Sequence, residues 1–280
     1  MRRKAENRPE TTGKERTSYD ESNEMKGVEM GKIVAIVNQK GGVGKTTTAV
    51  NLAASLAAID KKILMIDFDP QGNATSGVNI DKESVSNIYN VLAGDVTLGE
   101  AMINCEIPTL FTVSGHRDLA AAEVELVNEE GREFVLKNVL DPYRDQFDYI
   151  FIDCPPSLSL LTINALTACD GVIIPIQAEY YALEGVRDLM GTIEMVKQGL
   201  NQDLQITGVL ITMFDERTNL SQQVFGDVQG YFGSKLYKTI VPRNVRLSEA
   251  PSFGKPAMLH DIKSKGAQAY LKLAKEFLNG

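Results

Sequence analysis

Ile33-Val-Ala-Ile-Val-Asn-Gln-Lys-Gly-Gly-Val-Gly-Lys-Thr-Thr47 is the stretch that decides the fold of this 280-residue chain. Its first five residues are β-branched or small and apolar throughout, the pattern of a strand buried on both faces. After Thr47 the chain runs Thr-Ala-Val-Asn-Leu-Ala-Ala-Ser-Leu-Ala-Ala58, rich in strong helix formers. A strand, a glycine-rich turn and a helix in that order make a phosphate cradle. Gly41, Gly42 and Gly44 let successive N–H groups, that of Val43 among them, turn inward around phosphate oxygens, and the helix N-terminus adds partial positive charge. Lys45 is placed to bridge β and γ phosphates, and the Thr46 hydroxyl to ligate Mg²⁺. The whole run Lys40 to Thr47 is therefore assigned to nucleotide binding. Lys40 is the departure from an ordinary phosphate loop, which needs no charge before the double glycine.

Working outward, short apolar runs alternate with helical patterns. Lys32–Asn38, Ile63–Asp67, Leu110–Ser114, Tyr149–Asp153, Gly171–Ile176, Ile206–Thr212 and Thr239–Val241 read as strands, and most are apolar on both faces. This predicts an α/β fold: a single doubly wound, mostly parallel sheet with helices on both faces, Thr47–Ala58 being the first crossover helix. Residues 80–107 pattern weakly and are expected to form short helices on the rim. Ala267–Leu278 places Tyr270, Leu271, Ala274, Phe277 and Leu278 at helical spacing, the stripe of a core-packing helix. Residues 1–29 are charged and aperiodic and read as a disordered tail, leaving 30–280 as one domain.

Two further acidic sites follow strands. Asp67-Phe-Asp-Pro-Gln-Gly-Asn73 puts two carboxylates at a strand's C-terminal end, the edge where open parallel sheets bind ligands. Alternation places Asp67 and Asp69 on one face, so that one can serve the Mg²⁺ shell while the other orients an attacking water. Tyr149-Ile-Phe-Ile-Asp153 is a buried strand ending in a carboxylate, the Walker B pattern for Mg²⁺. Pro155 and Pro156 stiffen its exit, which makes Asp153–Leu160 a candidate switch segment.

Composition narrows the class. The three cysteines, Cys105, Cys154 and Cys169, are too few and too scattered for a disulfide framework or a four-ligand zinc site, and read as structural thiols in a reducing cytoplasm. No apolar run approaches the length of a membrane span, so no membrane partner is expected. The net charge of −8 is uneven: residues 31–230 carry 13 basic and 27 acidic groups, whereas residues 231–280 carry 9 and 3. A basic C-terminal fifth on an acidic body can form a local anion-binding face.

Together these residues resemble the deviant Walker A ATPases within the P-loop NTPases, and among them the ParA/Soj chromosome and plasmid partitioning proteins. The resemblance runs from about Gly31 to the C-terminus. Beyond the phosphate loop it rests on Asp67-Phe-Asp-Pro-Gln-Gly-Asn-Ala-Thr75, Ile152-Asp-Cys-Pro-Pro-Ser157, Gln177-Ala-Glu-Tyr-Tyr-Ala-Leu-Glu-Gly185 and Val241-Pro-Arg-Asn-Val-Arg-Leu-Ser-Glu-Ala-Pro-Ser252. It implies ATP and Mg²⁺ as cofactors and a slow ATPase. It also implies an ATP-bound homodimer in which Lys40 reaches the partner's nucleotide, a cation in trans acting as an arginine finger does. By the same resemblance Lys40, Lys45 and Asp69 are the catalytic set, Asp69 positioning water, with Thr46, Asp67 and Asp153 serving the metal. Adenine is expected against Met213, Pro242 and Asn244. Arg217, Arg243 and Arg246 are expected to contact non-specific double-stranded DNA, with hydrolysis stimulated by a ParB-type partner on the nucleoid in the cytoplasm.

Three relatives sharing the loop are weighed against this. A MinD-type membrane ATPase needs a C-terminal amphipathic anchor, an iron–sulfur reductase needs loop cysteines, and an autorepressor needs a winged-helix domain that 29 residues cannot form.

Overall fold

The computed structural model describes residues 30–279 apart from Ser84 and Tyr181. The expected tail, residues 1–29, lies outside the described residues. Seven strands form one sheet: β1 Lys32–Ile36, β2 Ile63–Asp67, β3 Met102–Asn104, β4 Leu110–Val113, β5 Tyr149–Asp153, β6 Gly171–Gln177 and β7 Gln205–Thr212. Their order is β3-β4-β2-β5-β1-β6-β7, and every pairing is parallel except β3 with β4. The α/β, doubly wound reading therefore holds.

Strand alternation sorts the apolar residues into two cores, one per face. Ile33, Ala35, Leu64, Ile66, Ile150, Ile152, Val172 and Ile174 point to one side and pack with the helices Leu160–Ala168 and Glu184–Gly199. Val34, Ile36, Ile63, Met65, Phe151 and Ile173 point to the other, against the first crossover helix Lys45–Ala57 and the C-terminal helix Lys265–Asn279. The first helix is buried along nearly its whole length, since the sheet covers one side and the C-terminal helix the other. Ala267, Tyr270, Leu273 and Ala274 are the buried stripe of that last helix, and the Tyr270 hydroxyl sits 3.1 Å from Thr48 Oγ1. Of the expected stripe, Tyr270 and Ala274 are buried and Phe277 and Leu278 pack half-buried on the same core, whereas Leu271 does not join it and Leu273 takes its place. Among the described residues no helix is long and apolar enough to cross a membrane.

Two strand expectations need correcting. Thr239–Val241 forms no strand; residues 236–243 follow the edge of β7 only through isolated contacts, Tyr237 N to Val209 O at 2.9 Å, Val241 N to Ile211 O at 2.9 Å and Arg243 N to Phe214 O at 3.0 Å, with Leu236 bridging Val209 and Pro242 bridging Phe214. Between those contacts the N–H groups of Lys238 and Thr239 donate to the Glu276 carboxylate at 2.6 and 2.9 Å, which keeps them out of a ladder. Conversely, β3 lies inside the rim region expected to be helical, directly after the turn Leu98–Ala101. Three residues of edge strand are too short to leave a period-2 signature.

Candidate nucleotide-binding site

Parallel strands bring their carboxyl ends to one edge, and the adjacent strands β1, β5 and β2 bring three loops together there. In register, Asp67 lies beside Asp153 and Asp153 beside Ile36, so two carboxylates stand next to the start of the phosphate loop. The loop is held in a shape that side chains resist: Gly42 has φ 74° and Gly44 φ 92°, both left-handed. Its N–H groups open into a cleft of about 520 Å³ lined by Gly41, Gly42, Gly44, Lys45, Thr46, Thr47 and Asp69 on one side. The opposite wall comes from Met213, Pro242, Arg243, Asn244 and Leu247. The three residues expected at the base therefore line the same cleft as the phosphate loop. Met213 itself is left-handed, φ 49°, an uncommon conformation for a residue with a side chain and a mark of a tightly determined turn.

The two lysines of the loop occupy opposite environments. Lys45 is buried, donates to the Lys40 carbonyl at 3.2 Å, and has its pKa lowered mainly by burial, against the pull of Asp153, Cys154 and Asp69. Lys40 points away: its Nζ pairs with Glu179 at 3.1 Å, the two side chains 39% and 46% exposed.

The acidic residues divide similarly. Asp67 is fully buried behind the cleft, and its Oδ2 accepts from Thr75 N at 2.7 Å and Thr75 Oγ1 at 2.6 Å. Burial raises its pKa to about 6, these hydrogen bonds working against the shift. Asp69 lines the cleft, and its Oδ1 accepts from Gln71 N at 2.9 Å. Asp153 is also fully buried, yet neither carboxylate oxygen has a hydrogen-bond partner among the described residues. Burial and then the Asp67 charge raise its pKa; the Thr46 hydroxyl is near enough to lower it without bonding geometry. An unpartnered buried carboxylate beside a threonine hydroxyl is costly as it stands and fits a hard divalent cation. Thr46 and Asp153 are thus the residues that suit Mg²⁺ directly, with Asp67 beside them.

The expected DNA-contacting arginines do not form one cluster. Arg217, 85% exposed, is held by Asp215 through Nε at 2.8 Å and Nη2 at 2.6 Å. That pair holds the Asp215 carboxyl down at about 2. Arg246 pairs with Glu249 at 2.7 Å and Asp261 at 3.5 Å. Arg243 instead lies on the wall between the nucleotide cleft and a second cleft of about 890 Å³, whose basic lining also holds Arg217, Lys238, Lys263, Lys265 and Lys272. Arg246 does not line it.

Sequence reasoning missed several residues that this geometry uses. Thr75 anchors Asp67, Glu179 holds Lys40, and Thr212 donates to the Val43 carbonyl at 2.8 Å. Thr212 ends an apolar strand at the ligand edge with a hydroxyl, a signal open to reading; Glu179 needed the fold to be brought near the loop. The cysteines are buried at 154 and 169, where burial pushes both thiols up, Cys169 to about 12. Cys105 is only partly buried.

A family described as an AAA domain matches residues 31–206. The chromosome partitioning protein ParA of Myxococcus xanthus is 55% identical over 250 residues, covering 89% of this chain and 88% of that protein. The sporulation initiation inhibitor protein Soj of Bacillus subtilis is 56% identical over 248 residues, 88% of this chain and 98% of that one. Among solved structures, cobyrinic acid a,c-diamide synthase from Mycobacterium smegmatis, with a bound ATP analogue and magnesium, superposes with a TM-score of 0.79 at 36% identity, over 89% and 95% of the two chains. A phosphate loop with a second, outward lysine, and this degree of identity along nearly the whole chain, place it in one group: the chain belongs to the ParA/Soj family of partitioning ATPases.

Proposed function

We propose that this protein is a DNA-partitioning ATPase in which Mg²⁺ and ATP close a homodimer that holds double-stranded DNA without sequence preference. The observation that carries the reading is the division of labour between two lysines of one loop: Lys45 turned into the cradle, Lys40 at the surface on a half-exposed ion pair. A lysine needed only by its own nucleotide has no reason to face outward.

Within one protomer, Gly41–Thr47 holds the phosphates through backbone N–H groups and Lys45 neutralises them. The base lies against Met213, Pro242 and Asn244. Thr46 and Asp153, backed by Asp67, would hold Mg²⁺, which would supply neutralisation of the phosphate charge. Asp69, on the cleft wall, orients the attacking water by accepting its hydrogen bond. Lys40, released from Glu179, completes the partner's site. The second cleft, with six basic residues against Asp215 and Glu216, is the surface for DNA phosphates. Dimerisation joins two such grooves, so binding is tighter than either alone provides.

Intrinsic hydrolysis is slow, and a ParB-type partner accelerates it and so releases DNA on the nucleoid in the cytoplasm. The deciding test is DNA binding at one fixed salt concentration with ATP, with ADP and without nucleotide. ATP-specific binding is expected; equal binding in all three would sink the switch.

A further inference from the structure

The carbonyls of the phosphate loop need partners as well: that of Lys40 accepts from Lys45 Nζ within the loop at 3.2 Å, and that of Gly44 from Thr48 N in the helix at 2.9 Å. For Val43, the residue between the two left-handed glycines, that partner is a single side chain from the edge strand β7, two places from β1 in the sheet. Thr212 ends β7, is 2% exposed, and donates from Oγ1 to Val43 O at 2.8 Å across 169 residues of sequence. Its methyl Cγ2 lies 3.6 Å from where a Cβ on Gly44 would sit, so the same residue packs under the neighbouring loop position. The main chain of Thr212 is itself fixed: it pairs with Gln177 of β6, and its carbonyl accepts from Ala178 N at 3.3 Å. The next residue, Met213, turns left-handed into the cleft.

We infer that Thr212 is a positioning residue for nucleotide binding: its hydroxyl clamps the Val43 carbonyl and holds the phosphate loop in its binding shape before the nucleotide arrives. One residue thereby sets two walls of the cleft, the phosphate loop through its side chain and the base side through the turn that follows it. The inference rests on the proposed nucleotide reading of the cleft. It requires no other ligand and no chemical step at Thr212.

The physical alternative is that the threonine only fills space, in which case the methyl and not the hydroxyl matters. Three variants separate these. Thr212→Val keeps the shape and removes the donor, leaving a buried carbonyl without a partner. Thr212→Ser keeps the donor and removes the methyl. Thr212→Ala removes both. Affinities of the full chain for Mg·ADP and Mg·ATP would be measured by calorimetry, together with amide exchange at residues 42–46 without nucleotide.

Thr212→Val is expected to weaken both nucleotides about tenfold, which is about 1.4 kcal/mol, and to speed exchange in the loop by a similar factor. Thr212→Ser is expected to stay within about threefold of the parent chain on both readouts. If Thr212→Val fails to fold, the contrast of Ser against Ala still separates clamp from filler. Affinity and exchange in the hydroxyl-free variants equal to the parent's, or a loss in Thr212→Ser as large as theirs, would overturn the clamp. Failure of the parent chain to bind either nucleotide would instead overturn the nucleotide reading.

Discussion

The nucleotide cleft and the basic groove share a wall, Pro242–Arg243, yet they are built on opposite principles. The cleft is made mostly of backbone: left-handed glycines, a helix N-terminus and strand ends in register, with a few buried side chains whose charges are paired or costly. The groove is made of long side chains from three separated segments, residues 214–217, 238–245 and 263–272. Geometry of the first kind is rigid and unforgiving, because a misplaced group there sits in low dielectric. Charges of the second kind are screened and interchangeable. Substitutions should therefore act in steps of orders of magnitude in the cleft and in small increments in the groove.

The largest effect belongs to Lys45→Ala. Removing the buried ammonium leaves the phosphates without their only cation from inside the loop, and Mg·ATP affinity should fall by about a thousandfold, ~4 kcal/mol. Calorimetry measures it directly, and a loss under tenfold would mean that backbone N–H groups alone suffice. Asp69→Ala comes next. ATP should still bind within a few-fold, while single-turnover hydrolysis drops by about a hundredfold and DNA-bound dimers accumulate. Hydrolysis at the parent rate would move the water-positioning role to another group.

A third break concerns the carboxylates behind the cleft. The folded-state pKa of Asp67, about 6, lies above its ordinary value of 3.8, so the folded state keeps a proton that the unfolded chain has already released. Stability is then greatest at the acid side of this window, falls as pH rises from about 4 to about 6, and levels off above. Asp153, raised for the same reason of burial, adds in the same direction. Asp67→Asn should flatten that slope and leave the protein more stable above pH 6 by about 1–2 kcal/mol, provided that the amide oxygen still accepts from Thr75. Denaturant titrations from pH 4 to 8 without Mg²⁺ test it, and a variant with the parent's slope would place the proton elsewhere.

This contrast also explains what could be read from sequence alone. The sheet was legible because β1, β2, β5 and β6 are buried on both faces, so that continuous apolar runs mark them, and the cradle was legible because Gly42 and Gly44 hold left-handed conformations that other residues resist. Met213, Pro242 and Asn244 were placed by resemblance, and they do line the cleft. β3 and the failed strand at Thr239–Val241 were illegible or misread because three residues carry no period, and because nothing in the run shows that the N–H groups of Lys238 and Thr239 go to Glu276, 38 and 37 residues away. The groove was only half legible. Charge counting found the basic C-terminal fifth, and Arg246 with Glu249 is a readable i,i+3 pair, but no sequence pattern says that Arg246 also meets Asp261, or that Lys272, seven residues beyond Lys265 on one helix, joins Arg243.

Within the groove the expected effects are small and ranked by who already holds each cation. Arg243 has no ion-pair partner among the described residues, and it stands on the shared wall. Arg243→Ala should weaken ATP-dependent DNA binding about fivefold and lower the salt slope by about one. An unchanged slope would remove it from the phosphate contacts.

Arg217→Ala should cost least, about twofold or less. Its guanidinium is already gripped by both oxygens of Asp215, so a DNA phosphate must compete with a bidentate carboxylate before it gains anything. The change Asp215→Asn with Arg217 retained sharpens the point: freeing the arginine should strengthen DNA binding, whereas deleting it hardly weakens it. Electrophoretic titration of a short duplex at two salt concentrations reads both. If Arg217→Ala instead costs as much as Arg243→Ala, then Asp215 releases its partner on dimerisation. The groove would then share with Lys40 and Glu179 the property of holding a cation on a carboxylate until it is needed.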